Sequence, residues 1–362
     1  MSVNSAHGGR TIPAQAKKNF FRRIFSKKRL LTEGKMLKTV LSFDMRAPDF
    51  GAPSEELYAA ALEMCEFGDK AGIEGVIFPE HHASEDGYNP VPALMGTAVA
   101  ARTKRMEIIL GAIVLPLHDP VELAETIAVT DLICGGRLTT TLAAGYVLAE
   151  FNMFGKSLGD RARLMDEGLD VITRALAGER FSYQGREIFV RPLPRSRPAK
   201  ILVGGGVAAA ARRAAKYGCG LWTLQPPTMP GGQALIALYQ EECRKYGRKP
   251  GPVMSTHPAV HVARDPDAAW EVVGPHLMHL VKSYASWAGD VDTTTSPFYG
   301  LDTVESVRAA RILNIMTPEE TIAFAQQTPI SLTPLISGLS PKLGWEMLEL
   351  FVAEVLPKLK QG

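Results

Sequence analysis

Glu80, His81 and His82 stand in a row directly after the apolar run Gly75–Pro79. Imidazole changes charge close to neutral pH, so two of them beside a carboxylate suit general acid–base work. The same three side chains are common metal ligands, and a histidine in such a place can also serve only to hydrogen-bond its own loop. The triplet by itself leaves all three readings open. A second group is Gly204, Gly205 and Gly206, which precede a helical pattern at Ala208–Tyr217. Bare N–H groups at a helix N-terminus bind phosphate; the rival reading is a tight turn that needs glycine. The spacing matches neither the dinucleotide fingerprint nor the P-loop. His257 and His261 are further candidate ligands if the triplet holds a metal. His276 and His279 read as packing positions on one helix face.

These groups need elements to hold them. Strand-like runs fall at Thr39–Asp44, Gly75–Pro79, Met106–Leu115, Leu138–Gly145, Lys200–Gly204, Leu221–Leu224, Val253–Val262 and Thr328–Ile336, with helical patterns between them. The strands read as nearly continuous apolar runs, as buried parallel strands do. Eight strand–helix repeats predict an α/β fold, a (β/α)₈ TIM barrel. Two insertions interrupt the cadence. Phe181–Val190, with Gly185 at its middle, predicts a hairpin after strand four. Ser286–Thr317, polar and irregular, follows strand seven and reads as a lid over the site. Barrel chemistry gathers at the C-terminal ends of strands. Here that means Asp44 to Arg46, then Pro79 to His82, Gly111 to Ile113, Ala143 to Tyr146, Gly204 to Gly206, Trp222 and Gln225, and His257 and His261 on strand seven.

Charge separates the chain into two parts. Nine Lys/Arg against Glu33 alone give residues 1–36 a charge of +8, which leaves −6 for the rest of a chain whose total is +2. The tail mixes Phe20, Phe21, Ile24 and Phe25 with basic residues, a pattern that suits a short amphipathic helix on an anionic membrane surface, but it is expected to be a disordered extension, with residues 37–362 forming the barrel domain. A mildly acidic body argues against a nucleic-acid partner. No apolar run reaches the roughly 18–20 residues that span a bilayer. Four cysteines without a C-x-x-C pair read as reduced thiols of a cytoplasmic protein.

The ordered set Glu80-His81-His82, Leu115-Pro116-Leu117-His118-Asp119-Pro120, Asp131 with Gly135-Gly136-Arg137, Gly145-Tyr146, Glu150-Phe151, Phe154-Gly155 and Gly204-Gly205-Gly206 with Arg213-Ala214-Ala215 resembles the bacterial luciferase-like monooxygenases. That family also contains deazaflavin (F420)-dependent enzymes. The resemblance covers residues 37–356. It implies a barrel that holds reduced FMN or F420 at its C-terminal mouth. Flavin members use dioxygen to oxidise a substrate, whereas F420 members transfer hydride. It implies that His81 is the catalytic histidine, with Glu80 and His82 beside it, and that Gly111–Ala112 falls where the family has a non-prolyl cis peptide backing the flavin ring. Asp44, Ala144, Tyr146, Gly204, Gly205, Gly206 and Val207 fall at the cofactor-binding mouth.

The chain also departs from the luciferases. Ala144 stands where they place an arginine toward the flavin phosphate, and Gly206 and Val207 stand where they use an acidic and a hydroxyl residue. Phosphate binding then falls to backbone N–H groups with Arg212 or Arg213. FMN and F420 both remain open, and light emission is not expected. The implied partners are a small-molecule substrate and a separate flavin reductase, since no nicotinamide fingerprint is present. A homo-oligomer is compatible with this reading. A metal-dependent hydrolase and a non-catalytic flavin-binding protein are the competing classes.

Overall fold

The computed structural model describes residues 37–287, 298 and 300–360. The basic tail, residues 1–36, and much of the expected lid, residues 288–297 and 299, lie outside them.

Strands β1 (Thr39–Ser42), β2 (Gly75–Phe78), β3 (Glu107–Val114) and β4 (Leu138–Ala143) pair in parallel, in chain order. The expected hairpin follows as β5 (Phe181–Tyr183) and β6 (Arg186–Ile188), a separate antiparallel pair. The parallel series resumes with β7 (Ile201–Gly204), β8 (Gly220–Thr223) and β9 (Val253–Ser255). Next come β10 (Ala259–Val262), β11 (Leu313–Met316) and β12 (Ile330–Leu332). β12 pairs with β1 on one side and β10 on the other. β9 and β10 are therefore the two halves of the seventh barrel strand, one bonded to the sixth and one to the eighth, and the ring of eight parallel positions closes through them. Thr256, His257 and Pro258 break that strand. Pro258 has no N–H to give to a ladder, while its carbonyl still accepts from Ser331 N at 3.0 Å.

The period of two along each strand sorts the side chains. Val40, Ile77, Ile109, Leu202 and Trp222 meet inside the ring with Leu37 and plug it. Leu41, Val76, Leu110, Leu142, Val203 and Leu221 point outward into the main core. There they meet helices that include α1 (Ser54–Ala71), α2 (Pro92–Arg102), α3 (Pro120–Ile133), α4 (Leu148–Met153), α5 (Arg161–Ala177), α6 (Ala208–Tyr217) and α7 (Pro230–Lys245). Toward the C-terminal ends the inward positions turn small: Ser42, Gly111, Thr141 and Gly204. The barrel is thus filled below and open above.

Two expectations need correction. The seventh strand is broken, not continuous over Val253–Val262. The stretch Ser286–Thr317 is not one irregular loop either, for its later part holds α9 (Val304–Ala310) and β11, a ninth strand parallel to β10. Leu313 and Ile315 bury against Trp270, Val273 and Leu277 of α8 (Pro266–Trp287) in a second core. A four-residue alternation beside a polar run is too short to stand out from the sequence. Then α10 (Pro318–Ala325) leads to β12, and α11 (Pro341–Leu350) follows it. Among the described residues no helix is long and apolar enough to cross a membrane.

Candidate active site

Where β2 ends, the chain leaves through Pro79, Glu80, His81 and His82, and successive side chains turn opposite ways. Loop 86–89 fastens this exit to the end of β1: Asn89 N donates to Asp44 O at 3.0 Å, and Ala47 N to Asp86 O at 2.7 Å. The alternation produces two carboxylate–histidine groups placed back to back.

The first group faces the mouth. His81 Nδ1 lies 2.7 Å from Glu150 Oε1, on α4. Glu150 has no exposed surface. The same oxygen accepts from His82 N at 3.0 Å, while Oε2 has no hydrogen-bond partner among the described residues. Gly145, just before α4, has φ +71°, and a Cβ there would lie 2.6 Å from Val114. Only glycine fits that turn, and the turn is what brings Glu150 back to β2. Around the His81 ring stand Trp287 at 4.6 Å, Tyr88 at 4.7 Å, Tyr284 at 5.8 Å and Tyr146 at 6.0 Å between centroids.

The second group faces away from it. His82 Nε2 and His118 Nε2 lie 2.8 and 2.7 Å from the same Glu80 oxygen, and Val114 N donates to the other at 2.6 Å. Burial works to raise the Glu80 carboxyl. The hydrogen bonds from His118, His82 and Val114 outweigh it and hold the group at about 2. Burial likewise opposes charge on His118, yet Glu80 raises it above its ordinary value. Glu80, His82 and His118 could hold a metal ion, since their ligand atoms converge within 4.8 Å. In this arrangement each imidazole is already committed to the carboxylate.

His257 and His261 are not part of either group. Both are pushed down to about 4 by burial, and neither Nδ1 has a partner. The metal reading that joined them to Glu80 and His82 therefore lacks its geometry. His276 and His279 do lie on one face of α8, but they are more than packing: His279 Nε2 lies 2.7 Å from Asp86 Oδ2, and His276 Nδ1 2.8 Å from Ser337 O.

The expected cofactor residues lie near or just beyond the C-terminal ends of their strands. The Gly111–Ala112 peptide is cis. A Cβ on Gly204 would lie 2.9 Å from Thr141 and 3.9 Å from Ala112, so this wall exists only because these residues are small. The Thr141 hydroxyl is buried without a partner. Gly205 takes φ +154°. Gly206 and Val207 are exposed and lead into α6, whose first N–H groups no side chain caps. Ala144 is half-buried and Tyr146 partly exposed; burial raises the Tyr146 phenol, keeping it neutral. Asp44 sits where β1 meets the final repeat. Its carboxylate accepts from Ser337 N at 3.1 Å and Arg46 N at 3.2 Å, and burial raises it against the pull of Arg46. A flat ring system bearing a phosphate fits this set: a small-residue wall, an orphaned hydroxyl and an uncapped helix start. Of the two arginines expected to help, Arg213 is bound to Asp166 at 3.0 Å, and Arg212 lies nearest Glu242 at 3.8 Å. Arg213 is thus committed, whereas Arg212 is exposed and only loosely paired.

Sequence reasoning placed Arg46 at the end of strand one and Glu150 in the motif set without a role for either, and it passed over Tyr88, Tyr284 and Trp287. The i,i+3 pair Tyr284–Trp287 at a helix end carried a weak signal. Arg46 and Asp86, 40 residues apart, carried none.

The family described as luciferase-like monooxygenase matches residues 39–329. The chain is 30% identical to the 4-hydroxyprotoasukamycin monooxygenase of Streptomyces nodosus subsp. asukaensis over 201 residues, 52% of this chain and 54% of that protein. It is 33% identical to the oxygenase component of the flavin-dependent trigonelline monooxygenase of Acinetobacter baylyi over 116 residues, 31% of this chain and 32% of that one. The chain thus spans about half of one curated relative and a third of the other. Among solved structures it resembles the monooxygenase RslO1 from Streptomyces bottropensis, with a TM-score of 0.72 at 24% identity, over 88% of this chain and 99% of that one.

Proposed function

The chain belongs to the luciferase-like monooxygenase family, and we propose that it is a reduced-FMN-dependent monooxygenase acting on a small organic substrate, with His81 as its acid–base group. The observation that carries this reading is the pairing of partly exposed His81 with buried Glu150 at the mouth, beside the small-residue wall. When bound, the reduced flavin supplies the electrons with which dioxygen is activated.

The chain's own residues supply the rest. Gly111, Ala112 and Gly204 give a flat cofactor room, and the N–H groups of Gly205, Gly206 and the start of α6 hold its phosphate. A carboxylate can only accept, so Glu150 fixes the proton on His81 Nδ1 and leaves a lone pair on Nε2. Nε2 can then take a proton and return it. Tyr88, Tyr284 and Trp287 keep water from that nitrogen. Glu80 and His82 act through position: with His118 they fasten the end of β2 to Val114 at the end of β3. The Acinetobacter relative is named an oxygenase component. In keeping with that name, we assign to this chain a separate flavin reductase as partner; its four free, buried cysteines suit the cytoplasm as its place of work.

Titration with reduced FMN, FMN and F420 tests the reading. Reduced FMN should bind more tightly than ~100 μM, about −5.5 kcal/mol. F420 binding with no affinity for reduced FMN would make the chain an F420-dependent oxidoreductase instead. Binding of neither would end the flavin reading.

A further inference from the structure

Five rings from three separate places meet at the mouth: His81 and Tyr88 after β2, Tyr146 after β4, and Tyr284 and Trp287 on the last turns of α8. Tyr88 and Tyr284 share a hydrogen bond at 3.1 Å. Under these rings lies the guanidinium of Arg46, with no exposed surface. Its carbon is 4.6 Å from the Tyr88 centroid, 4.8 Å from Trp287 and 5.4 Å from Tyr284. Nη1 binds Asp86 at 2.5 Å, while Nε and Nη2 are buried and make no hydrogen bond among the described residues.

A buried donor left unmade is costly, and a guanidinium has five N–H groups to satisfy. The ring faces compensate in part. The local charge limits what else can. Asp86 binds the guanidinium, with His279 on the same carboxylate oxygen, and Asp44 acts on it through space, so a ligand carboxylate would add a third acidic group around one guanidinium. A carbonyl oxygen accepts the same N–H groups and adds no charge. The surrounding rings favour a flat ring over an alkyl chain, because offset and edge-on ring contacts add to simple burial.

We propose that this mouth selects a flat, uncharged aromatic substrate bearing a carbonyl oxygen, and that Arg46 is the residue that reads that oxygen. The inference rests on the mouth being the active site. The oxygen reaches Nε and Nη2 when one covering ring turns aside. The ring placed to do so is Trp287, half-exposed on the final turn of α8.

Calorimetric titration of the full chain without flavin tests this, using 2-acetylnaphthalene, 2-naphthoate, 2-ethylnaphthalene and dodecanal. The ketone should bind at least about tenfold more tightly than each of the others, because a site built around donors rejects analogues that lack the acceptor. Arg46→Met should reduce the ketone to the level of 2-ethylnaphthalene and leave the latter within about threefold. Trp287→Ala should weaken both neutral naphthalenes together, about tenfold. If Arg46→Met does not fold, the wild-type ratios and Trp287→Ala decide the matter. Naphthoate or dodecanal binding as tightly as the ketone would overturn the proposal. So would an unchanged ketone-to-ethyl ratio in Arg46→Met, or no binding of any probe. Reduced FMN titrated in parallel separates the two readings: ketone binding without flavin binding sinks only the flavin reading, and flavin binding without ketone preference sinks only this one.

Discussion

His81 and His82 are neighbours in the chain, and each meets a buried carboxylate, yet the two pairs are built for different work. Glu150 has one oxygen shared between His81 and a backbone N–H and one oxygen idle. Glu80 has both oxygens engaged by three donors, two of them imidazoles. The first histidine sits among aromatic rings at an opening; the second is packed against Phe154 at 4.6 Å. A fully satisfied network rigidifies, whereas a partly satisfied one has capacity left for a ligand or a proton. The same residue types therefore give a working pair on one face of the strand end and a structural clasp on the other.

The largest expected effect tests the working pair. His81→Ala should slow single-turnover substrate oxidation by roughly 10²–10⁴-fold, the usual worth of acid–base help, with reduced-cofactor affinity nearly unchanged. His82→Ala should keep most of that rate. If the losses are exchanged between the two variants, the assignment of faces is reversed.

Next in size comes the clasp. Glu80→Ala leaves the buried His82 imidazole, the partly buried His118 imidazole and the Val114 N–H without their acceptor, and removing one partner from a buried pair costs about 3–5 kcal/mol. Urea unfolding should reveal this as a large fall in midpoint. A shift of under about 1 kcal/mol, the range of exposed ion pairs, would mean the clasp carries little.

A smaller effect distinguishes the groups by pH. Glu80, held at about 2, stays charged in the fold while the unfolded chain takes up a proton near 4.5. Its contribution is present above that value and lost as pH falls toward 2. His118 is raised, so its contribution is full below 6.5 and is lost as pH climbs through its folded value. His257 and His261, pushed down to about 4, act in the other sense: below 6.5 the unfolded chain binds the protons first, and stability falls as pH drops toward 4. Stability should therefore peak near pH 6.5. Glu80→Gln should flatten the alkaline limb and leave the slope between 6.5 and 4.5 intact, as followed by urea midpoints across that range. An unchanged alkaline limb would remove His118 from the account.

The smallest effect is expected from the tail. Deleting residues 1–36 should leave both pairs, the melting temperature and cofactor binding as they were, since Leu37 is the first residue of the barrel plug. A melting temperature lower by several degrees would show that the tail docks on the body.

What the sequence by itself determined is whatever depends on near neighbours. Apolar runs such as Gly75–Phe78 and Leu138–Ala143 had to be buried strands, and the hairpin centred on Gly185 and the glycine-rich entry to α6 were equally plain. The order of short motifs pointed to the family and to Gly111–Ala112, where the cis peptide is found. The opposite facing of His81 and His82 follows from the pleat alone. Tertiary structure decided the partners. Glu150 reaches His81 across 69 residues, and His279 reaches Asp86 across 193. Arg46 meets Tyr284 only because α8 folds back over the first strand's end. The break at Thr256–Pro258 lets the two halves of the seventh strand bond different neighbours, and β11 adds to β10 outside the ring. Periodicity encodes which side of an element is buried. It carries no record of which distant element will cover that side, because that choice is made by packing among all of them at once.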